Sequence, residues 1–432
     1  MLYVRPASVD VVIVGGGQAG LGTAFYLAQA GLEFVVLERG RVGETWRTQR
    51  WDSFTLNTPN WMNGLPGAPY EGADPLGFMT HGELAASFEA YVERFDLPVR
   101  TGVTVTRVQR ADGDGRFSVV GESATGDPVL FDAGAVVIAS GILQSPRIPP
   151  VGAKIPDGIL QLHTGDYRSP DELPAGSVVV VGGGQSGAQI VEDLLAANRT
   201  VYFSISEVPR LPRSYRGRDF MDWWLDMGVW DTRLDDVEDP AELRIRNATV
   251  SGVGARGHTV SYQQLSRDGA RLMGRLDDVQ GQALLTDNRV MEYVANADTK
   301  SQELKDRIDA RIANEGYDSP QPDSDPADAP VPAGESIPWL TTLDLDVADV
   351  GTVIWSTGFA ADFSWIELPV TDENGNPKHD RGVGTVDGIY FVGFPWLSKR
   401  KSGIIYGIEE DAQHITQVIV QRASAARPVT TT

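Results

Sequence analysis

The stretches "VVIVGGGQAG" (Val11–Gly20) and "VVVVGGGQSG" (Val178–Gly187) are nearly identical and begin 167 positions apart. In each, a β-branched run leads into three glycines and then into a helical pattern. Ala24, Leu27 and Ala28 follow the first, and Ile190, Val191, Leu194 and Leu195 follow the second. A further strand-like run closes each unit, "FVVLE" (Phe34–Glu38) and "TVYFSI" (Thr200–Ile205). Strand, glycine turn, helix and strand make a βαβ unit of a parallel sheet. The fold expected is α/β, with two dinucleotide-binding, Rossmann-like domains.

Gly15, Gly17 and Gly20 satisfy G-x-G-x-x-G, as do Gly182, Gly184 and Gly187. The first glycine allows the tight turn, the second lets backbone approach a pyrophosphate, and the third lets the helix pack closely. The pyrophosphate lies at the helix N-terminus, where free N–H groups and the helix dipole favour negative charge. Gln18 and Ala19 in the first copy, and Gln185 and Ser186 in the second, stand at that end.

Further strand-then-glycine endings occur at Ala135–Gly141, which contains Ala139 and Gly141, and at Gly351–Phe359. Another, Gly388–Trp396, precedes a C-terminal helical pattern near Ile408–Gln421. The expected organisation places one nucleotide domain inside the other. Residues 1–165 and 345–432 form the first domain, and 166–344 the second, with an acidic, partly helical insertion at about 231–335. Within it, Met291–Glu315 is helical by composition with a weak apolar face, and Gly316–Pro332 reads as an acidic loop.

The two copies differ after the second strand. Glu38 lies 23 residues beyond Gly15, where a carboxylate binds ribose hydroxyls. Ser204 lies 22 residues beyond Gly182, with Arg210, Arg213, Arg216 and Arg218 downstream. Serine and arginine accept a 2′-phosphate that an acid repels. Two dinucleotides in one chain point to hydride transfer between them, and a nicotinamide with a flavin is the pairing that needs two such folds.

The chain has 432 residues, 41% hydrophobic and 22% charged, a globular balance. Its formal net charge of −22 disfavours nucleic acid and anionic membranes as partners. Cysteine is absent, which excludes thiolate metal sites and a redox dithiol, and no metal site is expected. No signal peptide and no apolar run near the roughly 18 residues of a membrane span is evident, so a cytoplasmic protein is expected.

With these features the chain resembles the flavin-containing monooxygenase superfamily, especially its bacterial flavoprotein oxidoreductases. The matching stretches include "GGGQAG", Glu38–Pro59, Leu160–Pro170, "GGGQSG", Pro212–Phe220, Trp355–Ile366 and Gly393–Ala412, so the resemblance covers nearly the whole length. It implies FAD in the first domain and NADPH in the second, with NADH as the alternative. It implies Glu38 on the FAD ribose, with Arg39 beside it, and Trp46, Arg47 and Trp51 near the pyrophosphate and ring. Thr58 and Pro59 would line the isoalloxazine, Val105 would lie on the strand that reads the adenine, and Thr357 and Gly358 would link the domains. Ser204, Arg210 and Arg213 are expected on the NADPH side. Asn57 is the candidate for hydrogen bonding a flavin peroxide, and its alternative is a turn-forming Asn before Thr-Pro.

The family fingerprint F-x-G-x-x-x-H-x-x-x-Y is matched in its second half by His163 and Tyr167, whereas its Phe position is Asp157 and Gly158 lies one residue early. His163 is therefore a candidate for proton transfer or a packed interdomain histidine. Tyr167 stands where typical Baeyer–Villiger enzymes of the family carry Trp. The implied activity is reduction of FAD by NADPH, formation of a C4a-(hydro)peroxyflavin from O2, and oxygenation of a small organic substrate at nitrogen or sulfur. Alternatives are Baeyer–Villiger oxygenation, a flavin reductase or oxidase without oxygenation, and a redox-sensing flavoprotein. A thioredoxin-reductase-like enzyme would need the absent cysteines. The oligomeric state is left open, a homodimer included.

Overall fold

A computed structural model describes residues 6–426 apart from 112, 114, 239–242, 244–247, 317 and 323. The chain begins with β1 (Ala7–Val14), α1 (Gln18–Gln29), β2 (Phe34–Leu37), α2 (Glu44–Thr48) and α3 (His81–Arg94). There follow β3 (Val99–Arg100), β4 (Val103–Arg110), β5 (Phe117–Ser123), β6 (Pro128–Ile138), β7 (Ser145–Pro146) and β8 (Leu160–His163). The second repeat supplies β9 (Ser177–Val181), α4 (Gln185–Ala196) and β10 (Val201–Ser204). Later helices are α5 (Phe220–Asp226), α6 (Tyr262–Arg267), α7 (Val290–Glu315) and α8 (Ile408–Ala426).

The first sheet runs His379–Asp380, Val383–Gly384, Ile389–Phe391, β6, β1, β2, β3, with β5 paired to β6 and β4 to β5. The second runs Trp339–Leu340, Arg271–Met273, β10, β9, Val350–Trp355, β8, and every pairing in it is parallel. Alternation along the strands divides the core. Val11 and Ile13 of β1 face the helix side with Leu21, Leu27, Ile408 and Ile415, while Val12 and Val14 face Phe363, Phe391 and Phe394. In the second sheet Val178 and Val180 join the same helix-side cluster, so one apolar core runs through both domains.

The two repeats are βαβ units, as expected, but the domain boundaries differ from 165 and 345. β8 and Val350–Trp355 pair with each other, and Val350–Trp355 pairs with β9, so both belong to the second sheet. Ile389–Phe391 and α8 return to the first domain, where Gly22 of α1 leaves room for Ile408. Glycine-ended apolar strands look alike in either sheet, and hydrogen-bond partners alone assign them. Arg271–Met273 extends the second sheet beside β10, and α7 buries Tyr293, Val294, Ala297, Leu304 and Ile308. No described helix is long and apolar enough to cross a membrane.

The acidic loop 316–332 is anchored by Asp328. Its buried carboxylate pairs with Arg210 and Lys305 and accepts a hydrogen bond from Ser301 Oγ at 2.6 Å. Arg210, only 2% exposed, also pairs with Asp298, which accepts from Gln263 Nε2 at 2.8 Å. Removing one partner of such a network leaves a buried cation uncompensated. Asp328→Ala is expected to lower unfolding free energy by about 3–5 kcal/mol in urea titration.

The junction between domains is built on His163, 1% exposed at the end of β8. Its Nδ1 accepts the Gly165 N–H at 3.2 Å, so its Nε2 carries the proton and donates to the Gly358 carbonyl at 2.8 Å. Phe359 packs edge-on at 4.5 Å, and β7 pairs with Phe359–Ala360. Both ring nitrogens bond backbone groups, the arrangement that the packed interdomain histidine of the two expectations calls for. Burial holds its pKa below the usual histidine range. The unfolded chain therefore takes up the proton first, and stability falls as pH drops through the unfolded value of about 6.5 toward the folded one. In His163→Gln, which keeps an N–H donor for Gly358, urea midpoints should fall less between about pH 7.5 and about pH 5.5. Turnover should fall by less than the roughly 100-fold that loss of a general acid–base entails.

Candidate functional site

The two glycine turns match in register. Val14 pairs with Leu37 and Val181 with Ser204. The Gly15 N–H donates to Leu37 O at 2.9 Å, and the Gly182 N–H to Ser204 O at 2.9 Å. Gly15 and Gly182 have φ of 114° and 117°, a left-handed conformation that favours glycine. A Cβ at Gly15 would lie 2.4 Å from Ala139 O, and one at Gly182 would lie 2.3 Å from Ser356 O. At Gly20 it would lie 1.9 Å from Gly15 O, and at Gly187 2.0 Å from Gly182 O. At Gly17 and Gly184 it would meet nothing within 4 Å.

Those open positions are the N-caps of α1 and α4. Neither helix has a side-chain cap or an acidic residue in its first turn. Each turn therefore offers N–H groups and the positive end of a 12-residue helix beside clear space, which fits a pyrophosphate. Gln189, 4% exposed on α4, has its Oε1 buried without a hydrogen-bond partner among the described residues, an acceptor that a ligand N–H would satisfy.

Glu38 follows β2 beside the first turn. Its Oε2 accepts the Gly16 N–H at 2.6 Å and its Oε1 the Gly40 N–H at 2.8 Å. Its backbone carbonyl accepts the Val103 N–H, which brings Val105 of β4 to the same edge. The register corrects the equivalence read from spacing. Ser204 aligns with Leu37, so Ile205 stands where Glu38 stands in the first copy. Ser204 is buried, and its Oγ donates to Gly274 O at 2.8 Å. Ile205 is fully buried, and Tyr262 donates to Gly183 O at 2.8 Å beside it.

The arginines expected to receive a 2′-phosphate are occupied. Arg210 lies in the Asp328 network, and Arg213 pairs with Asp219, donates to Asn57 O at 2.7 Å and stacks on Phe78 at 4.4 Å. Arg216 pairs with Asp309 at 2.7 Å, and Arg218 with Asp226 at 3.7 Å. Buried guanidinium groups keep carboxylate partners, so basic residues inside a domain reveal its ion pairs before its ligands.

Trp46 Nε1 donates to Gln18 Oε1 at 3.2 Å, joining α2 to the first turn of α1. Arg47 instead turns to Glu89 of α3 at 2.7 Å, whereas Arg50 stacks on Trp46 at 4.7 Å and Phe54 at 5.3 Å. Burial lowers the Arg50 pKa to about 10. Trp51 is buried edge-on against Phe54 at 5.0 Å and beside Tyr167, while Arg39 is exposed.

Asn57 Oδ1 accepts from Gln189 Nε2 at 3.1 Å, so its NH2 group is what it can offer a ligand. Thr58 Oγ1 donates to Asn63 Oδ1 at 2.6 Å, Asn63 donates back to Thr58 O at 3.1 Å, and Pro59 caps the turn Asn60–Met62. Gly393 sits so near α1 that its Cβ would lie 2.4 Å from Ala19 Cβ, which brings the segment before α8 to the first turn. Gly141 has φ of 69° and open space beside it. Thr357 Oγ1 donates to Arg147 O, and Gly358 accepts from His163 and from the Arg147 N–H. The sequence reading missed Asn63, Gln189, Asp193 and Arg50, because no motif marks a polar side chain that acts through tertiary contacts.

The family profile described as pyridine nucleotide-disulphide oxidoreductase matches residues 12–218. An uncharacterized CzcO-like oxidoreductase of Geobacillus kaustophilus is 31% identical over 415 residues, covering 95% of this chain and 98% of that one. A probable indole-3-pyruvate monooxygenase of Arabidopsis thaliana is 32% identical over 195 residues, 44% of this chain and 51% of that one. Among solved structures, a doubly substituted flavin monooxygenase of Stenotrophomonas maltophilia has a TM-score of 0.66 at 19% identity, covering 96% of this chain and 99% of that one. With its paired nucleotide folds and near full-length match, the chain belongs to the CzcO-like oxidoreductases.

Proposed function

We propose that the protein is an FAD- and NADPH-dependent monooxygenase that inserts one oxygen atom into a small organic molecule at nitrogen or sulfur. The observation that carries this reading is the pair of matched glycine turns with Glu38 at one and Ile205 at the other. A carboxylate at the ribose position suits FAD, whose ribose hydroxyls are free, and its absence from the second turn admits a 2′-phosphate. With the four arginines engaged, NADH is the alternative at that turn. Tyr167, in place of the Trp of Baeyer–Villiger relatives, supports nitrogen or sulfur as the acceptor. The name of the Arabidopsis relative supports oxygenation as the reaction class.

Bound at the first turn, the flavin would supply hydride acceptance and oxygen activation. The chain's own residues hold and shield that chemistry. The α1 N–H groups would hold the pyrophosphate, and Glu38 would meet the ribose. The Asn57 NH2, left free to donate by the Gln189 bond to its Oδ1, would face the flavin side, while Asn63 keeps Thr58 in place. Aromatic walls exclude water where the domains meet. Trp61 packs on Tyr406 at 5.4 Å and Trp224 on Trp230 at 5.0 Å, in a cluster with Phe220 and Trp223.

Gly17→Ala and Gly184→Ala separate the two sites, since neither added methyl group meets protein within 4 Å. Both variants should keep the thermal midpoint of the cofactor-free chain. Gly17→Ala should be purified without flavin, whereas Gly184→Ala should retain it and need at least about tenfold more NADPH for half-maximal reduction. Loss of flavin from the second variant alone would reverse the assignment. Anaerobic reduction by NADPH followed by rapid mixing with O2 tests the reaction class. A transient absorbing species before flavin reoxidation is expected, and direct reoxidation with stoichiometric peroxide, with and without candidate amine or sulfide substrates, would favour an oxidase.

A further inference from the structure

Helix α4 leaves the second glycine turn and carries Gln185, Gln189 and Asp193 at four-residue spacing, which places them on one face. All three are engaged away from the helix's own sheet. Gln185 bonds both backbone groups of Val250, and Gln189 donates to Asn57. Asp193 Oδ1 accepts from Ser53 Oγ at 2.6 Å, and its Oδ2 accepts from Tyr167 OH at 2.5 Å. Ser53 lies in the loop that continues to Asn57 and Thr58. Tyr167 lies in the linker between β8 and β9. The next residue, Arg168, donates to Thr48 O, and its carbonyl accepts the Asp52 N–H at 2.9 Å. One carboxylate on the second domain therefore receives both the loop of the first domain and the linker between them. Burial raises the Tyr167 pKa well above the usual phenol range, so its hydroxyl remains a donor.

We propose that Asp193 is a positioning residue that couples the two cofactor sites. From the helix whose N-terminus takes the nicotinamide dinucleotide, it holds the loop that lines the flavin. This rests on the assignment of flavin to the first turn and nicotinamide to the second. Both bonds are charge-assisted, hence short and directional. A small shift of α4 on filling its N-terminus is passed through Asp193 to Ser53, and through Gln189 to Asn57. Coupling of this kind is reciprocal, so flavin occupancy also alters nucleotide affinity. A scaffold contact alone would stabilise the chain and leave the sites independent.

The test uses the flavin-loaded protein and NADP+, which binds without delivering hydride. In the unsubstituted protein, bound NADP+ should shift the flavin absorbance spectrum and protect the amides of residues 51–58 from hydrogen exchange. The double variant Ser53→Ala, Tyr167→Phe removes two hydroxyl groups only. It should still saturate with NADP+, at a Kd changed by a coupling factor of about five- to tenfold, while at saturation the flavin difference spectrum shrinks at least about fivefold and the added protection disappears. Ser53→Ala alone, at an exposed position, should give a smaller loss of the same sign even if the double variant folds poorly. An unchanged spectral response and unchanged protection in these variants, with both ligands bound, overturns the coupling alone. An unsubstituted protein that retains no flavin or binds no NADP+ overturns the cofactor assignment and this proposal with it, a result visible before any variant is made.

Discussion

At both glycine turns the helix approaches the preceding chain so closely that one methyl group would be excluded, with Gly20 over the Gly15 carbonyl and Gly187 over the Gly182 carbonyl. That approach turns the first-turn N–H groups of α1 and α4 outward beside an open position, and it seats each helix on its sheet. The rest of the architecture follows from placing two such units in one chain. Each sheet is buried on both faces, and the helix sides merge into a single core. The two N-termini are thereby held in fixed relation.

The polar contacts across the junction are a second layer built on that core. His163 and Gly358 lock the linkers, Arg168 grips the loop before Ser53, and Asp193 and Gln189 take that loop from the other domain. Most of these side chains are partly or wholly buried, where an unmade hydrogen bond is costly. The junction is therefore well determined, and the loop that carries Asn57, Thr58 and Pro59 is held from two directions at once.

Much of this was legible in the residues. The two G-x-G-x-x-G runs, their flanking strands and helices, the carboxylate at Glu38 and the return of the C-terminal helix to the first domain were all readable by period and spacing. The domain edges were not, because short strands such as Leu160–His163 and Val350–Trp355 carry no mark of the sheet they join. Ser204 was placed one residue out of register, since helix and loop lengths between paired strands vary and only the ladder aligns Leu37 with Ser204. Arg210 and Arg213 looked like phosphate ligands because a sequence shows charges without their partners. The carboxylates that neutralise them, Asp328, Asp298 and Asp219, are 118, 88 and 6 residues away.

By itself the sequence determined the two nucleotide folds, the uncapped helix ends behind their glycine turns and the absence of cysteine. These depend on local requirements: a residue without Cβ at a left-handed turn, a period-two strand, and the lack of any cysteine. The tertiary structure alone decided which strands share a sheet, which charges are spent in buried pairs, and which polar side chains reach across the junction. Each of those depends on contacts between residues far apart in the chain, whose geometry exists only once the shared core has formed.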